Sequence, residues 1–243
     1  MSSKNKLAAL QSLIESKLAL ALPNKKEYDE VILEAMNYSL LAGGKRLRPV
    51  LMMASCEAVG GNINDTLDVA AAIECVHTYS LIHDDLPGMD DDELRRGKPT
   101  NHVVFGEGMA ILAGDGLLTE AFTLISRNMA AKGEWELGLK LVFELSEAAG
   151  VLGMVGGQAR DLLAEERQID SAEMTYIHTH KTGALIKAAV RMGALIGKAS
   201  EAELVALSDY ATEIGLAFQI TDDILDIEGD AALLGKAVGR QRS

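Results

Sequence analysis

Two clusters of acidic side chains have the residue types and the spacing best suited to chemistry in this sequence. The first spans residues 84–93, where six carboxylates occur within ten residues. Carboxylates at this density repel one another unless divalent cations, a polyphosphate complex or bulk water take up the charge. The segment is therefore either part of a metal site or a solvated loop.

The second acidic cluster, Asp222, Asp223 and Asp226, favours the metal site. Spacings of three and four place Gln219, Asp222 and Asp226 along one helical face. Two clusters that each offer one or two carboxylates suit Mg²⁺, which takes few protein ligands and fills its other positions with water and substrate phosphate.

Three groups of basic residues accompany the acidic clusters: Lys45, Arg46 and Arg48; Arg95 and Arg96; and Lys181. Taken alone, the group at 45–48 is equally compatible with a loop in water. Together the three groups indicate that the metals hold a phosphate or diphosphate. If that anion is a leaving group, Mg²⁺ neutralises the charge that develops as its bond to carbon breaks, and apolar helix walls shelter a carbocation.

The composition favours one helical domain. A chain of 243 residues can bury one good core, and aromatic residues are scarce at 4%. The net charge of −13 argues against nucleic acid or an anionic membrane surface as the partner. Cys56 and Cys75 lie in apolar segments without CxxC spacing and are expected to be buried free thiols. There is no signal-type apolar core and no uncharged apolar run of about eighteen residues, so we expect a cytoplasmic protein.

Apolar periodicity predicts helices along the whole chain and no sheet, which makes the architecture an all-α single bundle. The first helix is expected to bury Leu7, Leu10, Ile14 and Leu18 and to end near Pro23. Further helices are predicted over 27–41, from Pro49 onward, through Ala70 to Asp84, over 110–126 with an interruption at Asp115, and over 135–149. Capping signals for the later helices are Asp65 or Asn64, Asp170 with Glu173, and Ser200 with Glu203.

The helix that precedes the first acidic cluster is expected to position His77 and Asp84. His77 precedes Asp84 by seven residues, so the two face the same way about 10 Å apart. Pro87-Gly88 then breaks the helix and lets Asp90 fold back toward Asp84. His178 and His180 are too close on a helix to share a metal easily and are interpreted as surface or packing residues.

The motifs, in their order along the chain, resemble those of the trans-polyprenyl diphosphate synthases. They are Gly43-Gly44-Lys45-Arg46-Leu47-Arg48-Pro49, Asp84-Asp85 with four residues to Asp90, Arg95-Arg96-Gly97, Lys181-Thr182-Gly183, and Phe218-Gln219 before Asp222-Asp223-Ile224-Leu225-Asp226. The resemblance implies the isoprenoid-synthase type of helical bundle around a central cavity, with several Mg²⁺ ions, isoprenoid diphosphate substrates and a homodimer.

The resemblance also implies roles for individual residues. The expected Mg²⁺ ligands are Asp84, Asp90, Asp222 and Asp226. The expected contacts to the allylic diphosphate are Arg95, Lys181 and Lys236. The expected contacts to isopentenyl diphosphate, which has no metal to help it, are Lys45, Arg48, His77 and Arg96. Thr182 and Gln219 would line the reacting end, and the catalytic set is Asp84, Asp90, Arg95, Lys181 and Asp222.

Product length is implied by the residues one turn before the first motif, Tyr79 and Ser80. An aromatic residue five positions before Asp84 resembles the pattern of farnesyl synthases, so a fifteen-carbon product is expected, unless Tyr79 only packs in the core. A geranyl or geranylgeranyl synthase, or a catalytically weak or silent partner subunit of the same fold, is the alternative. A Mg²⁺-dependent diphosphate hydrolase or terpene cyclase would share the metals but would not need the metal-free cationic site.

The likeness ends after Gly235-Lys236. Residues 239–243 do not resemble the family's continuation, so the chain is either a shortened relative or part of a longer gene product. We expect one domain over residues 1–243 without the family's last helices. Dimer contacts and the central helices would preserve the fold, and turnover would be reduced.

Overall fold

The computed structural model describes residues 2–23, 30–165 and 167–228, with the side chains of residues 219, 220 and 222–228 excluded. Within these ranges the chain is almost entirely helical. The α-helices are α1 (Ser3–Leu18), α2 (Glu30–Leu40), α3 (Leu47–Ala58), α4 (Leu67–Asp84), α5 (Asn101–Phe105), α6 (Glu107–Lys132), α7 (Trp135–Ala149), α8 (Met154–Ala164), α9 (Ser171–Ile177), α10 (Ala184–Ile196) and α11 (Glu201–Glu228). A 3₁₀ turn, Ile63–Thr66, precedes α4, and a π-helical segment, His178–Gly183, joins α9 to α10.

Helix α4 lies at the centre of the bundle. Every side chain from Val69 to Val76 is buried, and the helix packs extensively against α6 and also against α1, α2 and α3. The sequence of this stretch is apolar on all sides apart from Glu74, which is typical of a helix surrounded by protein. Because α4 ends at Asp84, the first acidic cluster begins where the central helix leaves the core.

Several predicted elements agree with the structure. The helix over 135–149 has the predicted limits, and Cys56 and Cys75 are buried free thiols. The side chain of Asp170 accepts a hydrogen bond from the backbone N–H of Glu173 at 2.8 Å, and Ser200 and Glu203 bond each other as a cap. Local sequence rules were sufficient in these places because the partners are three residues apart.

Other expectations were wrong. Leu7 is 45% exposed, because only Leu10, Ile14 and Leu18 of α1 reach the core. Neither Asp65 nor Asn64 caps α4, whose N-cap is Thr66 without a side-chain cap hydrogen bond. Asn62 caps the preceding 3₁₀ turn, where its side chain accepts from the backbone N–H of Asn64. Asp115 does not interrupt its helix, since it lies on the exposed face of α6.

A short hairpin was also missed. Strands β1 (Leu94–Arg95) and β2 (Lys98–Pro99) pair antiparallel around the turn Arg96-Gly97, in which both residues have positive φ, 54° and 74°. Two central residues with positive φ are the signature of the tight turns that suit hairpins. Two-residue strands are too short to show alternation, so periodicity could not predict them.

Helix α6 is long and apolar enough to cross a membrane by length and composition alone. Ala113, Leu117, Ala121 and Ile125 of this helix are fully buried, and it packs along α4. A core helix meets the same length and composition criteria, so this feature is weak evidence for a membrane span.

Candidate active site

The first acidic cluster folds back on itself at the end of α4. The backbone N–H of Asp90 donates to the carbonyl oxygen of Asp84 at 2.8 Å, and that of Asp91 donates to the carbonyl of Leu86 at 3.1 Å. Pro87 and Gly88 lie exposed in the intervening turn. This is the predicted return of Asp90 toward Asp84, and it brings the two acidic residues together at the helix end.

The Asp84 carboxyl has an unusual electrostatic environment. Burial raises its pKa to about 6, Lys181 lowers it, and the neighbouring charge of Asp90 raises it further. A carboxylate that is partly buried beside another carboxylate is stabilised by additional positive charge. Two such oxygen donors fit a hard divalent cation, which would hold the diphosphate oxygens as well.

The described residues around Asp84 do not by themselves form a complete group of metal ligands. Among the described side chains, no three His, Cys, Asp or Glu residues converge on one point that could hold a metal. The predicted ligands Asp222 and Asp226 lie on α11, and their side chains are outside the described part. Lys236, a predicted diphosphate contact, also lies outside the described residues.

Arg95 is fixed beside the acidic cluster by an ion pair with Asp85. Its Nε donates to both carboxylate oxygens of Asp85, at 2.8 and 2.9 Å, and its Nη2 donates to Oδ1 at 2.5 Å. Asp85 is only 3% exposed. The hairpin therefore carries Arg95 back to the end of α4, and Asp85 orients the guanidinium.

Arginine charges act on His77, which lies two turns before Asp84 on α4. Burial lowers the pKa of His77 well below its usual value, and the charges of Arg48 and Arg96 lower it further. Arg96 donates to the carbonyl of Gly43, and a Cβ at Gly44 would lie 2.6 Å from its Nη1. The hairpin tip is thus docked on the glycine loop at residues 43–44, and His77, Arg48 and Arg96 share one neighbourhood.

Lys181 lies in the π-helical segment and approaches the acidic cluster from another side. Its Nζ donates to Oδ2 of Asp161 at 2.7 Å, and Asp161 is 4% exposed. Gly157 of α8 makes this approach possible, since a Cβ there would lie 2.2 Å from the backbone nitrogen of Lys181. Thr182, the next residue, is half-buried in the same segment. π-Helical turns are frequent at functional sites.

Lys45 connects the glycine loop to α11. Its Nζ lies 5.4 Å from the centre of the Phe218 ring, within the range of a cation–π contact. Phe218 directly precedes Gln219 and stands one helical turn before Asp222. The basic loop therefore lies against the helix that carries the second acidic cluster.

Two features of the site were not anticipated from the sequence. Arg46, grouped with Lys45 and Arg48 as an anion-binding cation, is buried and bonds Glu15, Glu74 and the carbonyl of Leu40. Asp85 was counted only as one more carboxylate of the cluster. The one sequence signal for the Arg46 ion pair was Glu74, a charged residue within the apolar stretch 69–76 of α4, but the pairing itself joins residues 28 positions apart.

The predicted chain-length residues lie on α4 just before Asp84. Tyr79 is 7% exposed, and the Oγ of Ser80 donates to the carbonyl of His77 at 2.9 Å. A cavity of about 510 Å³ lies elsewhere, between α7, the π segment, α10 and α11. Thr179 and His180 line that cavity, whereas Lys181 and Asp84 do not.

Comparison with known proteins identifies the family. The sequence profile described as polyprenyl synthetase matches residues 29–241. The chain belongs to the polyprenyl synthetase family. Similar proteins include the farnesyl diphosphate synthase of Geobacillus stearothermophilus, which is 54% identical over 86% of this chain and 71% of its own length. The geranylgeranyl diphosphate synthase of Cyanophora paradoxa is 45% identical over 95% of this chain and 76% of its own length.

A solved structure shares the fold of this polyprenyl synthetase. It is the geranyltransferase of Helicobacter pylori, complexed with magnesium and isoprenyl diphosphate. The TM-score is 0.85 at 32% identity, with 100% of this chain and 82% of the other covered. The architecture is thus the all-α isoprenoid synthase fold that the motifs predicted.

Proposed function

We propose that this polyprenyl synthetase is a trans-prenyltransferase that condenses dimethylallyl or geranyl diphosphate with isopentenyl diphosphate to give farnesyl diphosphate. One observation carries the proposal: α4 bears two charged sites about 10 Å apart, an acidic one at Asp84 and a cationic one around His77. Two diphosphate substrates need two anion sites. A diphosphate hydrolase or a terpene cyclase needs only the first.

The acidic site would hold the allylic diphosphate. Asp84 and Asp90, with Asp222 and Asp226 from α11, are the proposed Mg²⁺ ligands. Mg²⁺ there would neutralise diphosphate charge and so assist its departure. Arg95 is oriented by Asp85, and Lys181 by Asp161, so both can donate to the same diphosphate.

The cationic site would hold isopentenyl diphosphate without a metal. Arg48 and Arg96 flank a neutral His77, which can donate a hydrogen bond without adding charge. Lys45 belongs to the same basic segment, three residues before Arg48. We assign these four residues to isopentenyl diphosphate, and Thr182 and Gln219 to the reacting end between the two substrates.

The reaction follows from this arrangement. The carbon–oxygen bond of the allylic diphosphate breaks, and its electron pair leaves with the diphosphate. The double bond of isopentenyl diphosphate then supplies the electrons of the new carbon–carbon bond. A proton is lost from the resulting cation to the released diphosphate, which Arg95 and Lys181 keep in place. Charge complementarity to the departing diphosphate is the main contribution of the protein.

Farnesyl diphosphate is the proposed product because Tyr79 lies buried one turn before Asp84, where it can limit the growing tail. The Geobacillus relative, named a farnesyl diphosphate synthase, supports this choice. The Cyanophora relative is named for the twenty-carbon product, so geranylgeranyl diphosphate is the second candidate.

We further propose a cytoplasmic homodimer in which residues 1–243 form one domain. Val104, Ile111 and Leu112 on α5 and α6 are 47%, 40% and 56% exposed. Apolar side chains grouped on one surface are typical of protein–protein contacts. A second copy packed on this surface would cover them.

Incubation with geranyl and isopentenyl diphosphates and Mg²⁺, followed by dephosphorylation and chromatography, tests the proposal. We expect farnesol. Arg48→Gln should raise KM for isopentenyl diphosphate more than KM for geranyl diphosphate, whereas Lys140→Gln, which alters an exposed pair with Glu136, should change neither. Release of diphosphate without chain elongation would instead indicate a hydrolase or a cyclase.

A further inference from the structure

Tyr79 and His83 form an aromatic pair one turn apart on α4. Their ring centroids are 5.6 Å apart and the ring planes are inclined by 80°, an edge-to-face arrangement. Tyr79 is buried, so the orientation of its ring depends on the groups packed against it, of which the His83 ring is one. Because edge-to-face pairs are favoured over other contacts between rings, each ring restricts the orientation of the other.

His83 is held in turn by the backbone of α6. Its Nε2 lies 3.0 Å from the carbonyl oxygen of Ile111, and since a carbonyl only accepts, Nε2 is the donor. A Cβ at Gly114 would lie 2.1 Å from the same Nε2. The imidazole therefore occupies the space left by a glycine, and it cannot turn away without losing the bond to Ile111.

We propose that His83 is a positioning residue that sets product length by fixing the ring of Tyr79. The inference rests on the proposed function, in which Tyr79 limits the prenyl tail. Helix α6 holds His83, His83 holds Tyr79, and Tyr79 closes the space below Asp84. If the ring were free to rotate away, the tail could accept one more five-carbon unit.

His83→Ala removes both the ring partner and the bond to α6. We expect the ratio of twenty-carbon to fifteen-carbon product to rise about fivefold, the shift that the free energy of one edge-to-face pair allows. The ratio does not depend on the amount of folded enzyme, so a loss of stability alone would leave it unchanged. Thermal denaturation would be recorded alongside as a measure of folding.

Two further variants test separately whether α6 holds His83 and whether the His83 ring holds Tyr79. Gly114→Ala leaves His83 intact but pushes the imidazole off α6, so it should shift the ratio in the same direction. His83→Phe keeps an aromatic partner and should stay nearer the wild-type ratio than His83→Ala. His102→Ala, on α5 and bonded to Thr100, is the matched histidine control and should leave the ratio unchanged.

The outcomes distinguish the inference from the proposed function. If Tyr79→Ala lengthens the product and His83→Ala does not, the inference fails and the proposed function stands. If Tyr79→Ala also leaves the product unchanged, both the inference and the role of Tyr79 fail. A wild type that makes mainly the twenty-carbon product would overturn the proposed product, while a further lengthening in His83→Ala would still support the inference. No elongation by the wild type would overturn both.

Discussion

Lys45, Arg46 and Arg48 lie within four positions of one another but occupy different environments. Lys45 is exposed beside the Phe218 ring, Arg46 is buried in ion pairs, and Arg48 lies near His77. Arg46 also has a positive φ of 49°, which is uncommon for a residue other than glycine. Adjacent cations therefore divide into one structural ion-pair partner and two candidate substrate contacts.

His77 provides a pH test at this scale. Burial and the charges of Arg48 and Arg96 lower its pKa in the folded state, so the unfolded chain binds a proton first as pH falls below about 6.5. His77 should therefore reduce stability as pH falls, by up to about 1.4 kcal/mol per pH unit. Asp84 has the opposite effect on stability. Its pKa is raised to about 6 in the folded state, so as pH falls from about 6 toward the ordinary pKa of an aspartate the folded state takes up the proton first and stability increases.

The difference between wild type and His77→Gln isolates the histidine. Urea unfolding at several pH values between 7.5 and 5 should show a shallower loss of stability in the variant, and His102→Gln should retain the wild-type slope. Parallel curves for wild type and His77→Gln would show that His77 is protonated equally in both states.

At the scale of elements, the π-helical segment sets the direction of Lys181 and Thr182. An α-helix over the same residues would turn these two side chains to a different side. Its position depends on two close approaches, one to Gly157 of α8 and one to Gly215 of α11, where a Cβ would lie 3.3 Å from the Cα of Gly183. Small residues at helix contacts allow backbones to approach in this way. The segment is therefore held between α8 and α11, and the charge of Lys181 reaches Asp84 of the first acidic cluster.

Gly157→Ala should separate α8 from the π segment. The added Cβ would overlap backbone atoms of Lys181, which cannot rotate away, so we expect about 1–3 kcal/mol of destabilisation. Displacing Lys181 by a fraction of an ångström to an ångström should lower kcat/KM by up to about a hundredfold. Gly108→Ala is the control, because a Cβ there meets nothing within 4 Å. Steady-state kinetics and thermal melts of both variants would test this, and equal activity in the two would contradict it.

At the scale of the whole molecule, Arg46 connects three helices that are distant in sequence. Its guanidinium bonds Glu15 of α1, Glu74 of α4 and the carbonyl of Leu40 at the end of α2. The side chains of Arg46 and Glu74 are 2% and 3% exposed. Removing one partner would leave the other as a buried uncompensated charge.

We expect Arg46→Met to lose about 3–5 kcal/mol of unfolding free energy. The double variant Arg46→Met/Glu74→Met should regain part of that loss, because neither charge remains buried alone. Lys140→Met, which breaks an exposed pair, should cost little. Urea denaturation of the four proteins measures these differences, and equal stability of the single and double variants would rule out the coupling.

The proposed dimer is tested through the apolar surface on α5 and α6. Leu112→Glu places a charge where 56% of a leucine side chain is exposed, so it should weaken self-association without disturbing the core. Sedimentation equilibrium should show a dimer for the wild type and a monomer for the variant. Leu20→Glu, at an exposed site after α1, should remain dimeric. A variant at Leu112 that dimerises like the wild type would place the interface elsewhere.

The sequence by itself determined the features that depend on near neighbours in the chain. Examples are the return of Asp90 after Pro87-Gly88, the caps at Asp170 and Ser200, and the limits of α7. The order of the charged motifs was also sufficient for the family, because matching several separated motifs by chance is improbable. The all-α fold was predicted from the composition and from the helical spacing of the apolar residues.

Only the tertiary structure decided how the charges are paired. Arg46 bonds Glu15 and Glu74, Arg95 bonds Asp85, and Lys181 bonds Asp161. The sequence contains several carboxylates that could have paired with each of these cations. The contact of the His83 ring with Gly114 is likewise decided by how two helices pack. Local rules act over one helical turn, whereas these partners are brought together by the packing of whole helices, whose relative positions depend on every side chain between them.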